Sequence, residues 1–145
     1  AKNCDGLVPQ YGDFTDDDLS LLGAAEDIIE KLRCALDLQL FHEALEIIWV
    51  VIRAANGYVD SQAPWKLTKE NPDRMATILY VLSETIRRIA LVLQPFMPNT
   101  MSRMLEQVAV NADHRSFSHL GEDNYLIPGT PLPEPEGLFP RFIID

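Results

Sequence analysis

The sequence runs to 145 residues, 47% of them hydrophobic, with a formal net charge of -10. That length suits one domain with a real core, and no apolar run is long enough to span a bilayer. The acidic balance excludes a broad phosphate-binding surface, which needs cations. It leaves room for one small RNA contact, because Arg53, Lys66, Lys69 and Arg74 outnumber Asp60, Glu70 and Asp73 between positions 53 and 74.

The opening AKNCDGLVPQ lacks the basic start and apolar stretch of a signal peptide. It starts without methionine and reads as a piece of something longer. Cys4 and Cys34 lie far apart with no CxxC or Cys/His ligand spacing, so they read as reduced thiols of a cytoplasmic protein rather than zinc ligands.

Residues 1–14, with Gly6, Pro9 and Gly12, read as a loop. A first helix is expected from Thr15, its cap, with Asp16, Asp17 and Asp18 at the positive end of the dipole. Leu22, Ile29, Leu32 and Leu36 continue it at helical spacing. A second helix is expected from Leu40 to Asn56 with its stripe on Phe41, Ala44, Leu45, Ile48, Val51, Ile52 and Ala55. Ile47, Trp49 and Val50 widen that stripe, which predicts a central helix with Trp49 in the core. Asn56-Gly57 reads as a helix stop, or as a point from which one or two further turns run to Gln62. Pro64 directs Ala63 to extended geometry.

A third helix is predicted from its cap Asn71 and first-turn Pro72, with Met75, Ile78, Leu79, Leu82, Ile86, Ile89, Ala90 and Leu93 at spacings of three and four. Pro95 and Pro98 end it, and a fourth helix spans about Asn99 to Val108. The fold class is therefore all-α: a bundle of about four helices. From Asp113 onward Pro128, Gly129, Pro131, Pro133, Pro135, Gly137 and Pro140 forbid a long helix, yet Leu120, Leu126, Ile127, Leu132, Leu138, Phe139, Phe142 and Ile143 are too apolar for a free linker. The division expected is 1–112 as the helical domain and 113–145 as an extended proline-rich tail packed on the bundle or on a domain outside this chain.

No phosphate-binding glycine loop occurs, and His42, His114 and His119 have no metal-ligand spacing. Neither a catalytic residue nor a metal site is predicted. Trp65 stands apart, behind a proline, before a lysine and beyond a helix end. It either plugs the end of the bundle or offers a rigid face to an unpaired base, worth roughly 1–3 kcal/mol per base. On the second reading Asn56 or Gln62 can meet a base edge, since an amide both donates and accepts. Arg53, Lys66 and Lys69 can hold the backbone.

The stretch ANGYVDSQAPWKL (55–67), followed by LYVLSETIRRIALVLQPFMP (79–98), resembles the C-terminal anticodon-binding domain of methionyl-tRNA synthetases, class I aminoacyl-tRNA synthetases. The matching positions are Asn56, Tyr58, Asp60 and Pro64-Trp65, then Leu79-Tyr80, Glu84, Arg87 or Arg88, and Pro95-Phe96-Met97-Pro98. The opening AKNCDGLVP and the tail LIPGTPLPEPEGLFPRF (126–142) carry the likeness across nearly the whole chain, and four motifs in order make it specific. The resemblance implies that Trp65 stacks on an anticodon base. It implies a parent that joins methionine to tRNA using ATP with magnesium, while this piece, which has no HIGH-like or KMSKS motif, helps choose the tRNA. It also implies that an Asn and an Arg of the family's anticodon contacts belong to a helix before Ala1, and that the tail runs toward the catalytic domain, with Leu138, Phe139 and Phe142 on apolar surface there or on the bundle. The expected RNA-binding residues are Trp65, Asn56, Lys66 and Arg53. The alternatives are the same domain in another class I synthetase, or a helical protein-interaction domain without RNA binding.

Overall fold

A computed structural model describes residues 4–139. Six α-helices form the bundle: α1 (Asp16–Glu26), α2 (Ile28–Asp37), α3 (Phe41–Gln62), α4 (Pro64–Glu70), α5 (Pro72–Leu93) and α6 (Pro98–Gln107). Three single 3-10 turns follow at Ala112–His114, Phe117–His119 and Glu122–Asn124. All four anticipated helices are present. The first is broken at Asp27, whose ψ of -12° turns the axis, so that Leu21, Leu22 and Ala25 bury on one side of the break and Ile28, Leu32 and Ala35 on the other.

The second helix does not stop at Asn56-Gly57 but follows the other reading, with further turns to Gln62. A mid-helix glycine costs about 1 kcal/mol relative to alanine, and burial of Tyr58 one residue later outweighs it. The expectation of a central second helix is corrected: α3 buries only Ala44, Ile48, Val51 and Tyr58. The central helix is α5, which buries 14 of its 22 residues and packs on α1, α3, α4 and α6. Trp49, expected in the core, is 53% exposed. With Ile52, Ile86, Met97, Met101 and Phe139 it lines an open apolar groove of about 360 Å³ between α3, α5 and α6.

Asn71 caps α5 as expected, its side-chain oxygen accepting the Arg74 N–H at 3.0 Å. Within α5 lies a buried ionic cluster. Glu84 accepts from Arg87 Nε at 3.0 and 2.9 Å, from Arg87 Nη2 at 2.6 Å and from Arg88 Nε at 3.1 Å. The i, i+3 and i, i+4 spacing permits this geometry, and all three side chains are buried.

The cluster fastens the chain beyond α6. Arg87 Nη1 donates to the His119 carbonyl at 2.6 Å, the Leu126 N–H donates to Glu84 Oε2 at 3.1 Å, and Tyr80 Oη donates to the Leu126 carbonyl at 2.9 Å. Arg88 sits over the Tyr125 ring, 4.8 Å from its centre. Leu120 and Leu126 join the main apolar core. Val8 N–H donates to Thr130 O at 2.8 Å and Gly129 N–H to Val8 O at 2.9 Å, so the opening segment and the proline-rich stretch pair antiparallel at Leu7 and Pro131. Glu136 then meets Arg103 of α6 at 3.0 Å. The tail thus packs on the bundle up to Phe139 in the groove; Phe142 lies outside the described residues.

Candidate nucleic-acid interface

Between α3 and α5, Pro64 makes a break in the helix but not a loop. The chain there forms the seven-residue helix α4, with Pro64 at its first turn, a position where the missing N–H costs nothing. Ala63 is not extended: its φ of +42° and ψ of 57° put it in the left-handed region. A non-glycine residue there is strained by roughly 1–2 kcal/mol. The sharp reversal at Ala63 swings α4 away from the axis of α3. Pro64 is buried and Leu67 packs beside Ile78, Val81 and Tyr58, so one face of α4 is anchored.

The opposite face carries Trp65, 59% exposed. Its side chain belongs to neither apolar cluster, and its carbonyl accepts Thr68 Oγ1 at 3.2 Å. The indole is therefore not the plug of the bundle end; its ring stands open. Lys66 and Lys69 are exposed on the same short helix, with Lys69 one turn from Trp65.

Arg53 and Asn56 lie elsewhere, exposed on α3 and three residues apart on one face. At 1.5 Å per residue they sit about 9–14 Å before the end of that helix. Arg53 Nη2 lies 3.7 Å from Glu46, both side chains largely solvated, a pairing worth a few tenths of a kcal/mol and open to exchange. Asn56 borders the apolar groove. The four expected residues thus fall into two pairs, Trp65 with Lys66 on α4 and Arg53 with Asn56 on α3. Gln62 is not a free amide: Nε2 donates to Asp17 Oδ2 at 3.0 Å and Oε1 accepts Arg74 Nη2 at 2.8 Å.

Beneath α4 is a cluster that sequence reasoning missed. Asp18 is 0% exposed. Its carboxylate accepts from the Thr15 N–H at 2.9 Å, from Arg74 Nη1, from Arg74 Nη2 at 2.9 Å and from the Tyr58 hydroxyl. Burial alone would raise this carboxyl, but the bonds from Arg74, Tyr58 and Thr15 reverse that and hold it at about 2. Burial and the same carboxylate push the Tyr58 hydroxyl above its usual range. In sequence, Asp18 looked like one of three equivalent first-turn acids; only the Asp18, Leu21, Leu22, Ala25 spacing hinted that it faces inward. Among the described residues no group of three or more His, Cys, Asp or Glu side chains is placed to hold a metal. Both cysteines are free thiols.

Taken together, the fold and this surface define a class: an all-α module that offers an open tryptophan among cations on a short helix. A family model described as the anticodon binding domain of methionyl tRNA ligase matches residues 8–145. The methionine–tRNA ligase of Rhizobium meliloti (strain 1021) is 46% identical over 143 residues, 99% of this chain and 28% of that relative. That of Mycobacterium tuberculosis (strain ATCC 25618 / H37Rv) is 42% identical over 146 residues, 98% of this chain and 28% of the relative. The crystal structure of apo Mycobacterium tuberculosis methionyl-tRNA synthetase superposes with a TM-score of 0.94 at 40% identity, covering 99% of this chain and 29% of that one. The same enzyme in complex with methionyl-adenylate gives 0.93 at 42% identity. The chain belongs to the family of anticodon-binding domains of methionyl-tRNA ligases, and it spans about 28% of the length of the curated relatives it matches.

Proposed function

We propose that this chain recognises the tRNA anticodon for a parent enzyme that joins methionine to its tRNA at the expense of ATP with magnesium. The observation that carries this is the open indole of Trp65 on α4. A flat face fixed on a short helix suits an unpaired base, because every base has a π surface and a loop can splay its bases outward. Lys66 holds the adjacent backbone, with Arg53 on α3 taking a phosphate further along the strand. Asn56, beside Arg53, offers both a donor and an acceptor to a base edge. Activation of methionine belongs to a catalytic domain outside this chain, in a cytoplasmic parent. Residues 1–112 form the recognition unit, and the tail 113–145 ties it to its surroundings, including that catalytic domain.

The test is Trp65→Ala in the full-length ligase. Loss of one stacked base costs about 1–3 kcal/mol, so tRNA affinity falls roughly 5- to 150-fold. ATP-dependent methionine activation stays near wild type. An equal fall in activation and charging would make Trp65 a structural residue and overturn the reading.

A further inference from the structure

We propose that Arg74, acting through Asp18 and Gln62, is a positioning residue that sets the pose of Trp65. The inference rests on the reading of Trp65 as the base-stacking residue and deepens it. Trp65 is 59% exposed and lies outside both apolar clusters, so core packing does not fix the indole. Its direction is set by the backbone of α4, and α4 is only seven residues long. Pro64 and Leu67 anchor one face, and α4 packs along α5.

The remaining constraint comes from the two ends. Gln62, the last residue of α3, binds Arg74 Nη2 at 2.8 Å. Arg74, in the first turn of α5, is itself capped by Asn71 through its N–H. The guanidinium therefore bridges the residue before α4 to the helix after it, and spans the strained Ala63. Asp18 holds that guanidinium by two bonds from the first turn of α1, and Tyr58, one turn before Gln62, reaches the same carboxylate. Thr15 Oγ1 adds a bond from Arg74 Nη2 at 3.3 Å. The planar fork meets both Asp18 oxygens with its two Nη groups while Nη2 also reaches Gln62 and, by a longer shared bond, Thr15; a lysine ammonium is a point charge without that fork. Strained backbone persists where its surroundings over-determine it, and here the fork supplies part of that determination.

The experiment is a double-mutant cycle in the full-length ligase, read as KM and kcat for tRNA charging. Arg74→Lys keeps the charge beside Asp18 and loses the reach to Gln62. It is expected to raise KM for tRNA at least threefold with kcat little changed. In the Trp65→Ala background the same substitution is expected to add less than a further twofold, because Arg74 then has no platform to aim. Gln62→Leu, which leaves the Asp18–Arg74 pair intact, provides the same cycle should Arg74→Lys unfold. Amide exchange across residues 64–70 is expected to quicken in both single variants. Independent, multiplying effects of Arg74→Lys and Trp65→Ala, or an unchanged KM in both Arg74→Lys and Gln62→Leu, would overturn the inference. No effect of Trp65→Ala itself would instead remove the functional reading on which it stands.

Discussion

Replacing Glu84 by Ala is the sharpest perturbation of the fold. Its two oxygens accept four hydrogen-bond donors, Arg87 Nε, Arg87 Nη2, Arg88 Nε and the Leu126 N–H. Deletion leaves two buried guanidiniums against no buried carboxylate. Removing one partner of a buried pair costs about 3–5 kcal/mol, against a total stability of about 5–15 kcal/mol for such a domain. The loss is partly cushioned, because Arg87 keeps the His119 carbonyl and Arg88 keeps the Leu22 carbonyl, at 2.6 and 3.3 Å. At about 2–4 °C per kcal/mol near this size, Tm falls by roughly 6–20 °C. Far-UV circular dichroism on heating measures it, with urea unfolding as the check that the transition stays two-state. Amide exchange at Leu126, which loses its acceptor, is expected to quicken more than exchange in α2. Leu, Met and Met together at 84, 87 and 88 do not repair the site, because the carbonyls of His119 and Leu120 then lose their donors. A Glu84→Ala loss below about 1 kcal/mol would refute the account of a dry, mutually dependent ion cluster.

The Asp18 carboxyl is held at about 2 in the folded protein against 3.8 for a free aspartate, a gap worth on the order of 2 kcal/mol. Because the folded value is depressed, this stability is present above about pH 4 and drains away as pH falls toward 2; Asp18→Asn is expected to abolish that step in a pH series of urea midpoints, and a parallel profile in the variant would contradict it. With Lys66 and Lys69 as phosphate contacts, each counterion released from a single strand contributes about 0.7 to the salt slope. Lys66→Ala with Lys69→Ala should therefore flatten log K against log salt by about 1.4, measured with an anticodon stem-loop; an unaltered slope would place the cations of the interface elsewhere.

Periodicity made α5 legible before any coordinates, because Asn71-Pro72 marks its start and Pro95 its stop by chemistry local to each end. Asn56-Gly57 left two readings open for the converse reason. It is a local preference of about 1 kcal/mol, and the Tyr58 side chain gains more from a partner forty positions away than the turn would gain from ending. The left-handed Ala63 was hidden likewise: pre-proline geometry favours an extended residue, whereas the turn is held by bonds at Ala63 and by the tertiary Gln62–Arg74 bridge that spans it. Trp49 misled because an apolar run looks the same whether it faces a core or an open groove. Trp65 was legible as an oddity, a large ring just beyond a helix end, but how far it stands open depended on the direction of α4, which no local pattern encodes.

On the proposed reading, the acidic balance of the chain is part of how it selects. A surface at -10 repels a phosphate backbone over most of its area. The cations of the proposed interface are Arg53 on α3 and Lys66 and Lys69 on α4, set among Glu43, Glu46, Asp60 and Glu70, so attraction there is local to single side chains. Three cations give little affinity by themselves, so a duplex, whose bases are stacked on each other, gains almost nothing there. A loop that turns a base outward gains the cations and the indole together, and the second gain is the larger at moderate salt, since stacking is not screened. Recognition is then governed by the pose of one ring, which is why a buried salt bridge beneath α4 matters more to selectivity than any further lysine on its surface.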